Sequence, residues 1–458
     1  MVSRRALLGY GLGAAGSLLL PGCATRAVRG PAGKPRSESI AIVGAGAAGL
    51  AAAQELRRRG FMNLSIFEAR NRIGGRVHTL AADDGTPYEL GAGWVHGHTD
   101  NSIYSLMKER NFPLRLSGSN SDTQLWNARG LPVTRNESRK RHAKFVRYLE
   151  RIRENAKAEE SLAEAIHRLG PLPDPWTEHF LRSNVVETEG AELNELAARE
   201  PNAPGGADGF DFIPGPGYAA FFEGEARQLS VHLNVRVEAI GLERDDVRLS
   251  ISENGQPRTE NFSAVILTLP LGVLKARPEI FEFNLPDWKQ AAINNIGYGH
   301  FAKIILRFPE AFWPPDARWM ERMGAADRIT QFFPLSPFTG SKTLIGIAGG
   351  RQAMEWQNAT DERLRKHATK QLRQQFGKRV PDPVQMIRTD WSYDPFARGA
   401  YSFFAKTTSV TDYEKLAAPL NDRLYFAGEA TNAADYGTVH GAWDSGRRAA
   451  AELAQKFT

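Results

Sequence analysis

A glycine-rich turn near the start of the chain constrains the fold more than any other feature. Residues 44–49 read GAGAAG, which has the G-x-G-x-x-G spacing. The turn follows a short apolar stretch, residues 39–43, and opens an alanine-rich stretch of helical composition, residues 47–59. A second apolar stretch, residues 64–67, comes next. Strand, glycine turn, helix and strand in this order predict a βαβ unit that binds a dinucleotide.

Each residue type in this unit has a physical task. Gly44 permits the tight turn, Gly46 leaves room for a pyrophosphate, and Gly49 lets the helix pack closely on the sheet. The free N–H groups and the dipole at the helix start attract phosphate by about 0.3–1 kcal/mol per charge. An acid about 20 residues further on, at the end of the second strand, binds ribose hydroxyls. We therefore predict cofactor contacts at Gly44, Ala45, Gly46, Ala48, Gly49 and Glu68.

The residues after Glu68 indicate which dinucleotide binds. Residues 68–77 read EARNRIGGRV, which resembles the ExxxRxGGR run of the flavin-containing amine oxidase superfamily. The glycine pair lets the backbone pass close to the cofactor, and Arg76 can neutralise a pyrophosphate. The resemblance implies FAD rather than NAD. It adds predicted contacts at Ala69, Arg70, Gly75 and Arg76.

A block near the C-terminus resembles the same superfamily. Residues 424–431 read LYFAGEAT, and residues 437–446 read GTVHGAWDSG. In that family the Gly-Glu pair meets the phosphate–ribityl part of FAD, and the last helix directs its N-terminus at the pyrimidine end of the flavin. Such a dipole stabilises the negative charge that reduced flavin carries near N1. The resemblance implies contacts at Gly428, Glu429, Thr438 and Val439, whereas His440 is better explained by packing than as a catalytic base.

The middle of the chain continues the resemblance. Residues 237–240 (VEAI) match the segment whose backbone meets the adenine. Residues 267–274 (LTLPLGVL) match a T-x-P-x-x-x-L stretch, and residues 391–395 (WSYDP) match W-x-x-DP. The resemblance thus implies further cofactor contacts at Val237, Pro270 and Trp391.

One block indicates the substrate class. Residues 89–97 read ELGAGWVHG and resemble the GAxWhHG sequence of polyamine oxidases. Amino-acid oxidases of the superfamily carry an arginine where Trp94 stands, to grip the substrate carboxylate. Its absence favours a plain amine. The block implies cofactor contacts at Gly91, Ala92, Gly93 and Trp94, and it makes His96 a candidate partner of the substrate amine, with a structural role left open.

The resemblance assigns the remaining catalytic candidates, Lys303, Tyr401 and Thr438. Lys303 matches a lysine that the family places at flavin N5, usually through a water. Burial of such a lysine would lower its pKa. The alternative is an exposed lysine on an edge strand. Tyr401 matches one wall of an aromatic cage, which favours a cationic amine by about 0.5–2 kcal/mol; a plain core aromatic is the alternative. Thr438 replaces the second wall, as in some polyamine oxidases and the related histone lysine demethylases.

A polycationic substrate also needs carboxylates at its far end. Four candidates lie in the segment before residues 212–215: Glu187, Glu189, Glu192 and Glu195. A solvated helix face explains any single one of them better. We expect no metal site.

The charge distribution argues against a nucleic-acid partner. The formal net charge is +6, yet six cations precede the first acid, Glu38, so the remaining chain is formally neutral. Arg4 and Arg5, followed by a glycine-broken apolar run, resemble a twin-arginine leader over residues 1–23. We therefore expect export to the periplasm. Residues 20–23 (LPGC) also resemble a lipoprotein box, which leaves a lipid anchor on Cys23 or plain cleavage open.

Cys23 is the only cysteine in the chain. It excludes an intramolecular disulfide, a catalytic thiol and a cysteinyl flavin in the folded body. We therefore expect FAD to be held non-covalently, barring a histidyl link.

The sequence predicts an α/β fold with an α+β insert. An FAD-binding Rossmann-like domain is assembled from residues 39–105, 205–285 and 385–458, after an export signal (1–23) and a flexible tether (24–38). A mixed-sheet and helical substrate-binding domain comprises residues 106–204 and 286–384.

The predicted function is FAD-dependent oxidation of a primary or secondary (poly)amine to an imine and aldehyde, with O2 as acceptor and H2O2 as product. Two other classes stay open: a flavin desaturase or porphyrinogen-type oxidase of an apolar substrate, and a non-catalytic exported FAD-binding protein. The natural amine, the side of cleavage, the oligomeric state and the physiological oxidant are not fixed by the sequence.

Overall fold

A computed structural model describes residues 36–118, 123–199, 206–324 and 329–457. The predicted export signal and Cys23 lie outside these residues, as does the predicted tether up to residue 35. Within the described ranges, no helix has the length and apolarity needed to cross a membrane.

The strands of the described residues, in chain order, are β1 Ile40–Val43, β2 Leu64–Glu68, β3 Thr79–Ala81, β4 Pro87–Glu89, β5 Leu114–Gly118, β6 Thr123–Trp126, β7 Pro132–Val133, β8 Asp211–Pro214, β9 Val231–Leu233, β10 Val235–Leu242, β11 Val247–Glu253, β12 Gln256–Phe262, β13 Ala264–Leu267, β14 Gly297–Tyr298, β15 Phe301–Arg307, β16 Trp319–Arg322, β17 Gln331–Pro334, β18 Thr343–Gly349, β19 Gln385–Arg388, β20 Ser402–Phe403 and β21 Leu424–Phe426.

The α-helices are α1 Ala47–Arg58, α2 Ser102–Glu109, α3 Arg135–Glu154, α4 Leu162–Leu169, α5 Pro175–Phe180, α6 Glu187–Glu189, α7 Tyr218–Ala226, α8 Leu271–Ala276, α9 Asp287–Asn295, α10 Ser336–Thr339, α11 Gly350–Asn358, α12 Asp361–Phe376, α13 Val410–Ala417 and α14 Val439–Lys456. A π-helix, Leu181–Val186, joins α5 to α6.

A parallel five-stranded sheet in the order β21-β13-β1-β2-β9 forms the first layer. Its strands come from the start, the middle and the end of the chain, as the sequence predicts. The four residues of β1 are all buried, because helices or the β10–β12 sheet cover both faces of a sheet of this kind. The turn at residues 243–246 separates β10 from β11 as expected.

Close packing of α1 on α14 brings the two ends of the chain together. A Cβ on Gly446 would lie 2.0 Å from the Ala48 carbonyl oxygen, so only glycine permits this approach. One on Gly49 would lie 1.9 Å from the Gly44 carbonyl oxygen. The C-terminal helix therefore packs on the start of α1, beside the glycine turn, and both helices border one cavity where a shared cofactor site can form.

A second, seven-stranded sheet runs in the order β19-β15-β18-β17-β16-β6-β7. The predicted strands at residues 303–308 and 343–348 are its antiparallel neighbours β15 and β18. One face packs against α11 and α12 through residues such as Ile304 and Leu306. The other face carries Ile305, Phe333 and Ile347 toward Trp94.

The charged stretch at residues 135–166 forms α3 and α4, as predicted. Helix α3 is not purely a surface helix, because it buries Phe145, Tyr148, Leu149 and Ile152 along one side. The division into two domains stays a prediction; β19, at the predicted boundary, pairs with β15 of the seven-stranded sheet.

Candidate active site

A cavity of about 570 Å³ lies between the five-stranded and the seven-stranded sheets. This volume is in the usual range for a cofactor or ligand pocket. Its walls combine the glycine turn, the C-terminal block and the strand that carries Lys303. The predicted cofactor residues on its walls are Gly44, Gly46, Ala48, Glu68, Ala69, Arg70, Gly75, Arg76, Gly91, Ala92, Gly93, Trp94, Val237, Pro270, Trp391, Gly428, Glu429, Thr438 and Val439. The predicted catalytic residues on its walls are His96, Lys303, Tyr401 and Thr438.

Two predicted cofactor residues, Ala45 and Gly49, do not line the cavity. They stabilise the glycine turn that does. The Ala45 N–H donates to Glu68 Oε2 at 2.9 Å. Gly49 packs against the carbonyl of Gly44, as described above. Both therefore support the turn rather than border the cavity.

The end of the cavity at α1 fits a pyrophosphate. The helix has Gly46 at its N-cap, no side-chain cap and no acid in its first turn, so its first N–H groups lack a side-chain acceptor. A Cβ on Gly46 would meet nothing closer than the Gly74 carbonyl oxygen at 3.9 Å, and one on Gly428 would meet nothing within 4 Å. Open space beside free N–H groups at a helix start is what a phosphate group requires.

Glu68 is fixed at the end of β2 by two backbone donors. Its carboxylate accepts the N–H groups of Ala45 and Arg70, both at 2.9 Å. Because a carboxylate has further lone pairs, it can still accept ribose hydroxyls. The geometry fits the predicted role.

Arg70 contacts both Trp391 and Asp394, an acid to which the sequence assigned no role. The Arg70 guanidinium forms two hydrogen bonds with Asp394, at 2.8 and 2.6 Å, and lies over the Trp391 ring. Trp391 in turn donates to the Leu90 carbonyl at 2.8 Å. Asp394 is the acid of the W-x-x-DP motif, which was the available signal.

Glu429 is the most heavily hydrogen-bonded acid of the site. It accepts Arg76 Nη1 at 2.8 Å, Ser402 Oγ at 2.5 Å and the Gly437 N–H at 2.7 Å. Only 3% of the residue is exposed. Protein donors therefore hold this carboxylate, and it joins the GGR run to the C-terminal block.

Lys303 is buried in the middle of a sheet. It is 2% exposed, and its strand β15 lies between β18 and β19, so the edge-strand alternative is wrong. Its Nζ donates to the carbonyls of Glu89 at 2.9 Å and Gly91 at 2.6 Å. Burial lowers the pKa of Lys303 to about 8, and the Glu89 carboxylate limits that fall.

Glu89 is a buried acid whose importance the sequence did not reveal. Its carboxylate accepts the Tyr218 N–H at 2.6 Å and the Thr79 hydroxyl at 2.8 Å. Burial raises its pKa to about 7, against these hydrogen bonds and the charge of Lys303. In the sequence, Glu89 stands out only as the first residue of the ELGAGWVHG block.

His96 and Trp94 form one wall of the cavity. His96 Nδ1 lies 3.1 Å from Asp211 Oδ2, and Asp211 Oδ1 accepts the Gly97 N–H at 2.9 Å. Burial alone would raise the pKa of Asp211, but His96 and these hydrogen bonds lower it overall. Trp94 stacks on Trp319, with ring centroids 5.6 Å apart. No sequence signal marked Asp211 as the partner of His96.

The predicted cage residues have different surroundings. The Tyr401 hydroxyl donates to the Thr188 carbonyl at 2.9 Å, and its ring lies 6.1 Å from that of Phe301. Thr438 is the N-cap of α14: its hydroxyl accepts the Gly441 N–H at 3.0 Å and donates to the Asp435 carbonyl at 2.6 Å. The Thr438 hydroxyl is thus committed to capping.

His440 follows the cap and is buried. Its ring nitrogens lie 3.2 Å from Asn101 Nδ2 and 3.1 Å from Asp435 Oδ1. This agrees with the packing role that the sequence favoured.

The four candidate acids divide into two pairs. Glu187 and Glu189 line the cavity, whereas Glu192 and Glu195 do not. Glu192 accepts the Arg351 N–H at 2.9 Å, and Glu195 accepts the Glu192 N–H at 2.8 Å. Glu187 is buried and takes a hydrogen bond from the Thr330 hydroxyl; its Oε2 has no hydrogen-bond partner among the described residues. Burial raises its pKa well above the ordinary value.

Comparison with known proteins gives a consistent family. Residues 47–454 match the family model described as flavin containing amine oxidoreductase. Polyamine oxidase 3 of Oryza sativa subsp. japonica is 32% identical, over 92% of this chain and 90% of its own. Polyamine oxidase 2 of Arabidopsis thaliana is 31% identical, over 91% and 88%.

Solved structures agree in fold. Cyclohexylamine oxidase from Brevibacterium oxydans superposes with a TM-score of 0.76 at 20% identity, over 92% of this chain and 99% of its own. A putrescine oxidase variant redesigned in cofactor binding gives 0.74 at 19% identity, over 91% and 98%. Together with the family match, they confirm the predicted fold class, an α/β fold with a Rossmann-like FAD-binding part and a substrate-binding part.

Proposed function

Because the chain belongs to the flavin-containing amine oxidoreductase family, we propose that it is an FAD-dependent oxidase of a primary or secondary amine that uses O2 and releases H2O2. The family implies a flavin and an amine substrate. The single observation that carries the proposal is one cavity bordered by the glycine turn, the Arg76–Glu429 pair and buried Lys303. The balanced reaction is amine, O2 and water giving aldehyde, the released amine or ammonia, and H2O2.

FAD is held non-covalently in this proposal. The start of α1 and Gly46 would hold the pyrophosphate, Glu68 the ribose, and the start of α14 the pyrimidine end of the ring. Cys23, the only cysteine, precedes the described residues, so the cavity offers no thiol for a covalent bond. When bound, the flavin accepts the two electrons released as the C–H bond beside the amine nitrogen is oxidised.

The protein residues orient the amine and manage protons. Trp94, Phe301 and Tyr401 line an aromatic part of the cavity, which binds the carbon chain and excludes water. His96, held by Asp211, is placed to accept or donate a hydrogen bond to the amine. Lys303 holds a proton at the buried end, where its lowered pKa lets it exchange that proton near neutral pH.

The substrate class is an amine with a second cationic group. Trp94 stands where a carboxylate-binding arginine would be needed, which disfavours α-amino acids. Glu187 and Glu189 lie on the same cavity, and a buried carboxylate oxygen without a partner favours a cation nearby. The similarity to proteins named polyamine oxidases supports the same class.

The test is product formation from matched substrates. The FAD-loaded protein is incubated in air with a polyamine, a monoamine and an apolar tetrapyrrole precursor, and aldehyde and H2O2 are measured. Equal amounts of aldehyde and H2O2 from amines support the proposal, and Lys303→Met is expected to turn over more slowly. Oxidation of the apolar compound alone identifies a desaturase or porphyrinogen-type oxidase, and no turnover of any compound identifies a non-catalytic FAD-binding protein.

We also propose that residues 1–23 export the folded protein to the periplasm. The twin-arginine pattern at Arg4 and Arg5 supports this. Replacing both with lysine is expected to leave the protein in the cytoplasm with FAD bound. Continued export of that variant would contradict the proposal, and mass spectrometry of the exported form shows whether Cys23 carries lipid.

A further inference from the structure

Glu89 holds a fixed position at the end of β4. Its carboxylate accepts the Tyr218 N–H at 2.6 Å and the Thr79 hydroxyl at 2.8 Å. Tyr218 is the first residue of α7, so the positive end of this helix dipole faces the carboxylate. Two donors and a helix start hold the side chain in one orientation and favour its ionised form.

Lys303 approaches the same place from β15 of the seven-stranded sheet. Its ammonium donates to the backbone carbonyl of Glu89 and to that of Gly91. A Cβ on Gly93 would lie 3.1 Å from Glu89 Cβ and 3.4 Å from Lys303 Nζ. The acid and the lysine therefore flank a single glycine, and both are buried.

A second, small cavity of about 30 Å³ borders the pair. It is lined by Glu89 and Lys303 at its buried end and by Arg115 and Thr339, which are exposed, at the other. The volume suffices for a water molecule or two. Lys303 thus borders both cavities, and the pair can equilibrate with solvent protons from the side away from the substrate.

We propose that Glu89 is a positioning residue for Lys303, whose charge and location at the large cavity depend on the Glu89 carboxylate. The inference rests on the proposed function only in placing Lys303 at the reacting end. Among the described residues, the titratable groups beside the pair are Tyr218 and Arg115, and His96 and Glu187 line the large cavity with Lys303. Of all these groups, Glu89 is the one whose charge raises the pKa of Lys303.

The apoprotein provides a test that does not need activity. Unfolding by urea is measured for wild type, Glu89→Gln, Lys303→Met and the double variant. Glutamine keeps an acceptor for Tyr218 and Thr79 but removes the charge. We expect coupling of about tenfold or more in the unfolding equilibrium constant at pH 7.5. Effects that add to within about twofold would overturn the proposal.

The pH dependence of the same unfolding equilibrium shows in which direction Glu89 shifts the pKa of Lys303. The pKa of Lys303 falls from 10.5 to about 8 on folding, so the unfolded chain binds its proton more tightly. Stability from this group is complete above pH 10.5 and is lost as the pH falls toward 8. In Glu89→Gln the loss is expected to continue to lower pH. Superposable pH profiles of Glu89→Gln and wild type would contradict the coupling.

The kinetics of flavin reoxidation test the same coupling in the FAD-loaded protein. The rate at which O2 reoxidises dithionite-reduced flavin is recorded from pH 6 to 10 for the same variants. The limb of the pH–rate profile that reports the titration of Lys303 is expected at a pH lower by about one unit in Glu89→Gln. Lys303→Met is expected to lack this limb, whether or not Glu89→Gln is also present. Glu192→Gln, an acid that does not line the cavity, is the control and should not move the limb. A shift that persists in the Lys303→Met background would refute the role.

These outcomes separate the two proposals. If no amine reduces the flavin but coupling and the shifted limb are observed, the positioning role stands and the amine oxidase function fails. If amines reduce the flavin and no coupling is found, the positioning role fails alone.

Discussion

Arg76 and Glu429 are 353 positions apart in the chain, yet the Arg76 Nη1 donates to Glu429 Oε1 at 2.8 Å. This ion pair joins the GGR run of the N-terminal segment to the C-terminal block. Arg76 also donates to the Ala400 carbonyl at 2.8 Å, which ties in the segment carrying Tyr401. One ion pair therefore links two parts of the cavity wall that are distant in the sequence.

Breaking this pair on one side should destabilise the apoprotein. Arg76→Met leaves the Glu429 carboxylate buried beside uncharged donors, and we expect a loss of about 3 kcal/mol in the free energy of unfolding. Adding Glu429→Gln removes the unpaired charge and should recover part of that loss. Urea denaturation of the wild type, Arg76→Met and the double variant measures both effects. A double variant that is less stable than Arg76→Met would contradict this account.

Two glycines of the first turn should respond differently to a side chain. Gly46→Val places methyl groups in the open cavity, so the apoprotein should keep its stability while FAD affinity falls by about 100-fold or more. Gly49→Ala puts a Cβ where the Gly44 carbonyl oxygen already lies, and we expect about 2–3 kcal/mol of lost stability. Flavin titration and urea denaturation separate the two. Equal FAD affinity of Gly46→Val and wild type would disprove a pyrophosphate at this turn.

Lys289 should contribute to stability far from the cavity. It is fully buried on α9, and its Nζ donates to the carbonyls of Lys415, Leu416 and Ala418 at the end of α13. Although burial lowers its pKa to about 7, three acceptors are best served by the three donors of the charged ammonium.

Lys289→Met leaves these carbonyls without their donor, and we expect a loss of about 2–4 kcal/mol in unfolding free energy. Lys456→Met, which removes an exposed ion pair with Asp422, is the control and should change stability by less than about 0.5 kcal/mol. Similar melting curves for the two variants would show that the Lys289 hydrogen bonds do not matter.

Glu187 should distinguish substrates with a second cation. Glu187→Gln keeps the acceptor for the Thr330 hydroxyl but cannot become an anion. We expect KM for a polyamine to rise by about 10- to 100-fold, with a change below about threefold for a monoamine. Glu192→Gln, outside the cavity, is the matched control. Steady-state kinetics with both substrates decide the matter, and parallel losses for both amines would assign Glu187 a structural role.

The sequence predicted those parts of the fold that depend on local pattern. The β1–turn–α1–β2 unit was predictable because strand, glycine turn and helix are contiguous. The membership of β13 and β21 in the same sheet followed only from family resemblance. Thr438 was assigned to a cage wall by its position, yet the need to cap α14 engages its hydroxyl.

The partners of the catalytic candidates were not predictable in the same way. Glu89 and Lys303 meet because the β3–β4 pair packs against β15 of the seven-stranded sheet. The residues adjacent to either one in the sequence give no sign of this contact. The same holds for Asp211 beside His96 and Thr330 beside Glu187. Spacing along the chain identifies residue types for a site, whereas tertiary packing determines which of them become buried, paired or shifted in pKa.

Anaerobic mixing of the FAD-loaded protein with amines tests the central claim most directly. Flavin absorbance is followed in a stopped-flow instrument with mono-, di- and polyamines. We expect bleaching that saturates with amine concentration, and a rate that rises with pH because only the neutral amine reacts. An oxidised spectrum unchanged by every amine, or a bleaching rate that is flat from about pH 6 to 10, would contradict the account.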